Sequence, residues 1–191
     1  MNSFISIPVA FIFAFLSIIY IVIDLFRNKG KRFGRRVIFY SFLFYLTGVI
    51  HVTIGELTFP SQQTYQGQLI QLIPFYFIYD FIVVKQNAGN WFLMNAIKLS
   101  FYNVLLLLPL GVYVSLLFKV NRLSRAALIL FSTSLLIEVT QLTLSSFGFV
   151  WARSFNVDDL LLNTIGGVIG FVVVWMIKNR IHQKNKLKLA S

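Results

Sequence analysis

The chain lacks cysteine altogether, has six acidic residues against seventeen lysines and arginines, and carries four prolines in 191 positions. Without cysteine there is no disulfide framework, no thiolate nucleophile and no cysteine metal site, and thiols give no sign of the redox compartment. The two histidines, His51 and His182, are far apart. No H-E-x-x-H, no G-x-S-x-G and no phosphate-binding loop occurs, which excludes the common metalloprotease, serine-hydrolase and nucleotide-binding signatures. No cofactor or metal is expected. Apolar residues, by contrast, are abundant: 58% hydrophobic and 17% aromatic, with a mean hydropathy of +0.78. A soluble domain of this size could not bury so much in one core, and the composition is that of a membrane protein. In a soluble chain the net charge of +11 would suggest a nucleic-acid partner. Here the basic residues sit in short clusters between apolar runs and read as orientation signals, with no nucleic-acid partner implied.

A hydrocarbon layer of about 30 Å takes about 20 helical residues to cross. Five runs are long enough: approximately Phe4 to Phe26, Val37 to Leu57, Trp91 to Phe118, Ser124 to Leu144 and Asp158 to Ile177. The third is overlong, and its mixed start, WFLMNAIK, is expected in the interface before the helix dips. The expected fold is therefore all-α, a polytopic helical bundle of about five transmembrane helices. No soluble domain and no internal repeat is evident. Three basic clusters hold most of the lysines and arginines: Arg27 to Arg36, Lys119 to Arg125, and Lys178 to Lys188. Placing all three in the cytoplasm requires an odd number of crossings, with the N-terminus outside and the C-terminus inside.

Two segments bear on that count. Run one has no preceding basic residue and no small-x-small cleavage site, so it reads as a retained anchor and not a removed signal peptide. The stretch QLIPFYFIYDFIVV, Gln71 to Val84, is apolar but short, broken by Pro74 and interrupted by Asp80. It reads as an outer interfacial or re-entrant segment. Among isolated polar and special residues, His51 reads as a satisfied interior histidine, Asp24 as a local ion pair with Arg27, and Pro109 with Gly111 as a helix kink.

The polar residues within the runs matter most, because ionisable groups in a membrane span are costly and are usually functional or tightly paired. With this topology Glu138 lies about 9 Å below the outer end of run four, and Gln141 is one turn further out. Asp158 and Asp159 stand at the outer mouth of run five, Asn163 one turn inside, and Asn103 in the outer part of run three. One aspartate is explained as a cap of orphan backbone amides at a helix N-terminus. The second, with Asn163 on the same face, suggests a polar constellation shared with Glu138, Gln141 and Arg153. Below it, Gly166 and Gly170 in GxxxG spacing, with Gly167, allow another helix to approach closely.

Taken in order, QLIPF (Gln71 to Phe75), NVLLLLPLG (Asn103 to Gly111), IEVTQ (Ile137 to Gln141), RSFNVDD and LNTIGGVIG resemble the VanZ-like family of bacterial membrane proteins. The resemblance covers about Arg36 to Trp175 and organises the chain as an anchor with basic loop (1–35), a VanZ-like membrane domain (36–178) and a basic tail (179–191). The chain departs at Gln71, Leu108 and Asn156, where the family tends to have asparagine, phenylalanine and aspartate. The resemblance implies a cell-membrane protein associated with reduced susceptibility to glycopeptide antibiotics of the teicoplanin type; it supplies no mechanism. Combined with the depth argument, it suggests an outward-opening polar pocket of Asn103, Glu138, Gln141, Arg153, Asp158, Asp159 and Asn163. Membrane lipid, a lipid-linked cell-wall precursor or the drug itself would be its ligand. The competing reading is an intramembrane enzyme acting on an outer-leaflet lipid, with Glu138 and Asp159 as acid and base. A transporter is disfavoured, since the inner half of the helices is nearly devoid of polar residues.

Overall fold

A computed structural model describes residues 5–28, 33–61, 70–118, 120–150 and 153–190. Of the basic residues named above, Lys29, Lys31, Arg32 and Lys119 lie outside them. Ten elements follow in order: β1 (Ile5–Pro8), α1 (Val9–Asn28), α2 (Phe33–Thr53), β2 (Glu56–Phe59), β3 (Ile70–Gln71), α3 (Tyr76–Asn87), α4 (Asn90–Leu116), α5 (Leu123–Ser146), β4 (Phe155–Asn156) and α6 (Val157–Ala190). Among the described residues five helices, α1, α2, α4, α5 and α6, are long and apolar enough to cross a membrane. The chain divides into two compact units, Met1–Gln71 with Leu136–Asn156, and Leu72–Leu135 with Val157–Ser191.

In the first unit the helical hairpin α1–α2 is tied at its open end by short strands. β1 pairs antiparallel with β2, from Ile5 opposite Phe59 to Pro8 opposite Glu56. Run two therefore stops being helical at Thr53. Gly55, at φ +69°, makes the turn that ends α2, a backbone geometry that glycine adopts without steric cost. Thr58 on β2 donates from its backbone N–H (2.8 Å) and its hydroxyl (3.2 Å) to the carbonyl of Phe149, just past the end of α5. At the hairpin's other end Asp24 of α1 meets Arg36 of α2. The guanidinium donates through Nε to the carboxylate at 2.7 Å and through Nη2 to the Asp24 carbonyl at 2.6 Å, while the Tyr40 hydroxyl also donates to the carboxylate. The ion pair thus spans two helices and engages Arg36, where sequence spacing had suggested Arg27. His51 is exposed, so it is not the interior histidine expected.

In the second unit α4 and α6 run parallel and touch backbone to backbone. A Cβ on Gly166 would overlap the carbonyl of Val104, and one on Gly170 the carbonyl of Leu108. Gly111 returns the contact: its absent side chain leaves room for the carbonyl of Gly167 and the amide of Phe171. Gly111 is thus a packing residue and not merely part of a Pro109 kink. Gly167 faces α5 instead, where a Cβ would stand 2.6 Å from Leu130 Cδ2. Around these contacts Leu107, Leu110, Val114, Leu130, Leu160 and Phe171 are buried. Close approach matters here because lipid tails are as apolar as leucine, so helices associate through packing and polar contacts more than through hydrophobic exclusion. WFLMNAIK is part of one continuous helix with the run that follows it, α4. α6 likewise continues through the basic tail, whose Lys, Arg, Gln, Leu and Ala are good helix formers with no Gly or Pro to stop them.

Candidate functional site

Asp158 and Asp159 open α6, and each reaches a different element of the second unit. The Asp158 carboxylate, 2% exposed, accepts from the backbone N–H of Phe75 at 2.5 Å and of Phe77 at 2.8 Å. These amides belong to the entrance of α3, where N–H groups have no intrahelical partner. The α3 cap residue, Phe75, makes no side-chain cap bond of its own. Asp158 therefore caps α3 from α6, with an anion at the positive end of that helix's dipole. Phe75 sits at φ 64°, ψ 20°, a left-handed conformation that a bulky aromatic adopts only at a cost, and the Asp158 clamp holds it there. Nothing in QLIPF marks Phe75 for this backbone; a glycine or asparagine would have signalled it.

Asp159 accepts from Asn103 Nδ2 at 2.5 Å, a charge-assisted bond joining the first turn of α6 to α4. One turn further along α6, Asn163 is 1% exposed. Among the described residues its Oδ1 receives no hydrogen bond. Ser134 of α5, fully buried, donates to the Leu160 carbonyl at 3.3 Å. Asn103, Asp158, Asp159 and Asn163 thus gather where α6 begins, above the glycine contacts.

Glu138, Gln141 and Arg153 belong to the first unit. Glu138 is 3% exposed, and its Oε2 accepts from the Asn156 backbone N–H at a long 3.4 Å. Gln141 donates through Nε2 to the carbonyl of Thr53 at 2.8 Å, satisfying the last residue of α2. Arg153 is exposed, and its backbone N–H donates to Ser145 Oγ at 2.9 Å. The residues of the expected pocket are accordingly distributed over two units, four in one and three in the other. Sequence reasoning missed Thr53 and Ser145 as partners, because a backbone carbonyl or a lone serine carries no signal of its own. Among the described residues no group of three His, Asp or Glu is placed to hold a metal ion.

A short parallel bridge brings two further motif positions together: β3 pairs with β4, Ile70 opposite Phe155 and Gln71 opposite Asn156. QLIPF and RSFNVDD, some eighty residues apart in sequence, are therefore connected twice. Gln71 pairs with Asn156 in the first unit, and Phe75 and Phe77 bind Asp158 in the second. The family model described as VanZ/LLP1 matches residues 42–178. The chain belongs to the VanZ/LLP1 family. No curated protein and no solved structure matches it. The match runs from within α2 to Lys178 of α6, so the VanZ/LLP1 region contains α3, α4, α5 and every candidate site residue, while α1 precedes it.

Proposed function

We propose that this VanZ/LLP1 protein resides in a bacterial cell membrane, with its N-terminus outside and C-terminus inside, and lowers susceptibility to glycopeptide antibiotics of the teicoplanin type. It does so by binding a lipid, a lipid-linked cell-wall precursor or the drug through the polar residues near the outer ends of α4, α5 and α6. Asn163 is the observation that carries the reading. A buried amide oxygen without a donor is unusual in a folded protein and costs roughly 1–3 kcal/mol, so a hydroxyl or ammonium group of a ligand would be well received there. Asp159 and Asn103 lie one turn above it. Asp158 has both oxygens engaged by backbone amides and serves α3; charge recognition is assigned to Asp159 in the second unit and to Glu138 in the first. Gln141 and Arg153 are assigned to recognition with Glu138 in the first unit, Gln141 also holding the end of α2.

Susceptibility of cells expressing the wild type, Glu138→Gln and Asp159→Asn tests this directly, with membrane abundance measured in parallel. Both changes preserve shape and much of the hydrogen bonding. Abundant but non-protective variants are expected, most clearly for Glu138→Gln. Full protection by both at normal abundance would defeat the binding role. Comparison of membrane lipids with and without the protein distinguishes binding from catalysis: an altered lipid species would instead support Glu138 and Asp159 as an acid–base pair. Reporters after Ser191 and at Phe147 should read cytoplasmic and external respectively; the reverse at both would overturn the orientation.

A further inference from the structure

The opposite end of the second unit is basic. Lys178 of α6 donates from Nζ to the Ser115 carbonyl at 2.5 Å and to Ser115 Oγ at 3.1 Å. Ser115 lies in the last turn of α4, so this ammonium caps the carbonyl end of that helix. Its position also shows where α4 stops along α6. From Lys178 the helix runs on to Ala190, about 18 Å at 1.5 Å per residue. Arg180, Lys184 and Lys186 are exposed along this extension. α5 runs antiparallel to α6, with Leu130 beside Gly167 and Ser134 beside Leu160. Extending that register back to its first residue brings Leu123 level with about position 174 of α6. Arg122 and Arg125, both exposed, therefore stand at the same end as Arg180 and Lys184. No Asp or Glu occurs between Asp80 and Glu138 or anywhere after Asp159.

We propose that Arg122, Arg125, Arg180 and Lys184 form a binding surface for the phosphate groups of anionic phospholipids, with Lys178 acting as the strut that aligns α6 beside α4. The occupant follows from where the surface lies. These residues flank the ends of membrane-length helices, which deliver them to the headgroup layer, and basic segments next to a membrane span attract anionic lipid. Orientation signalling requires only that charges be near the span. A lipid surface further requires several of them at one end of a packed unit with no carboxylate in the adjoining sequence, as Arg122, Arg125, Arg180 and Lys184 stand. This inference is independent of the antibiotic reading, which concerns the other end of the same helices.

The full chain in neutral detergent, titrated with short-chain phosphatidylglycerol or phosphatidylcholine while thermal unfolding is followed, tests it. The wild type should be stabilised by phosphatidylglycerol at a concentration at least tenfold lower than by phosphatidylcholine, and high salt should erase the difference. The variant Arg122→Gln/Arg125→Gln/Arg180→Gln/Lys184→Gln should lose that preference while keeping its helical circular dichroism. Each single change should weaken it by up to about fivefold, as roughly 1 kcal/mol per basic residue near a membrane implies. Equal response of the wild type to both lipids, or an undiminished preference in the fourfold variant, would overturn the proposal. So would a short RNA oligonucleotide that stabilises the protein at lower concentration than phosphatidylglycerol, since the surface would then serve nucleic acid.

Discussion

Two helix pairs in this protein associate by opposite means. α4 and α6 carry glycines at their contact, and the backbones touch: Gly166 and Gly170 against the carbonyls of Val104 and Leu108, Gly111 against Gly167 and Phe171. α1 and α2 carry large residues, with the Tyr20 and Phe39 rings edge to face at 5.9 Å and the pair joined at one end by Asp24, Arg36 and Tyr40. The first arrangement buries side chains around the contact; most of α1 remains exposed. The comparison separates two sources of helix association in a membrane, dense packing made possible by small residues and polar contacts between helices that otherwise face lipid. Dense packing tolerates no added volume. A polar clamp tolerates volume but not the loss of one partner.

The largest effect should therefore come from the glycines. Gly166→Leu or Gly170→Leu forces a side chain into a backbone carbonyl, and relief requires α4 and α6 to separate. A loss of several kcal/mol, above the roughly 1–3 kcal/mol of ordinary overpacking, is expected, read as a sharp fall in folded protein in the membrane. Normal abundance of both variants would show that α4 and α6 do not meet there.

Second in size is the polar clamp. Asp24→Asn and Arg36→Gln should each lower the thermal midpoint, because each leaves a half-buried partner without its charge complement. The double variant should be less destabilised than the two singles summed, which a double-mutant cycle measures. Additive losses would mean that the two side chains contribute no coupling.

The smallest and most local effect belongs to Asp158, which joins helices without bearing on either packing mode. Asp158→Ala removes the acceptor for Phe75 and Phe77 and should cost about 1 kcal/mol, in the range of a lost helix cap. Hydrogen exchange should quicken over residues 75–80 while the exchange of α4 is little changed. Unchanged protection of Phe75 and Phe77 would place their acceptor elsewhere.

These contrasts were legible in the sequence to different degrees. GxxxG is a local pattern, and its meaning in a membrane helix follows from residue size alone, so Gly166 and Gly170 could be named in advance. Gly111 could not, because its neighbour Pro109 offers a sufficient local explanation and its actual neighbours, Gly167 and Phe171, are more than fifty residues away. Asp24 was visible as a costly charge, but its partner depended on how the hairpin closed. Glu138, Asp158 and Asp159 were likewise visible as costly charges, but depth says nothing of azimuth, so the Asn156 amide, the α3 amides and Asn103 that meet them were not.

What the sequence determined by itself is the set of properties that depend on composition and on spacing along one element. Five apolar runs of membrane length, breaks at basic clusters, a segment after Gln71 too short to cross and a small-residue face on the last helix all follow from transfer free energy and helical period. The order of the motifs likewise carried the VanZ family. The tertiary structure alone decided which groups answer one another: Ile5–Pro8 with Glu56–Phe59, Gln71 with Asn156, Asp158 with the amides of α3, Lys178 with the end of α4. Each of these bonds uses a backbone carbonyl or amide on at least one side. Every residue carries the carbonyl and every residue but proline the amide, so they leave little trace in the sequence, and only packing selects which of them a given partner will meet.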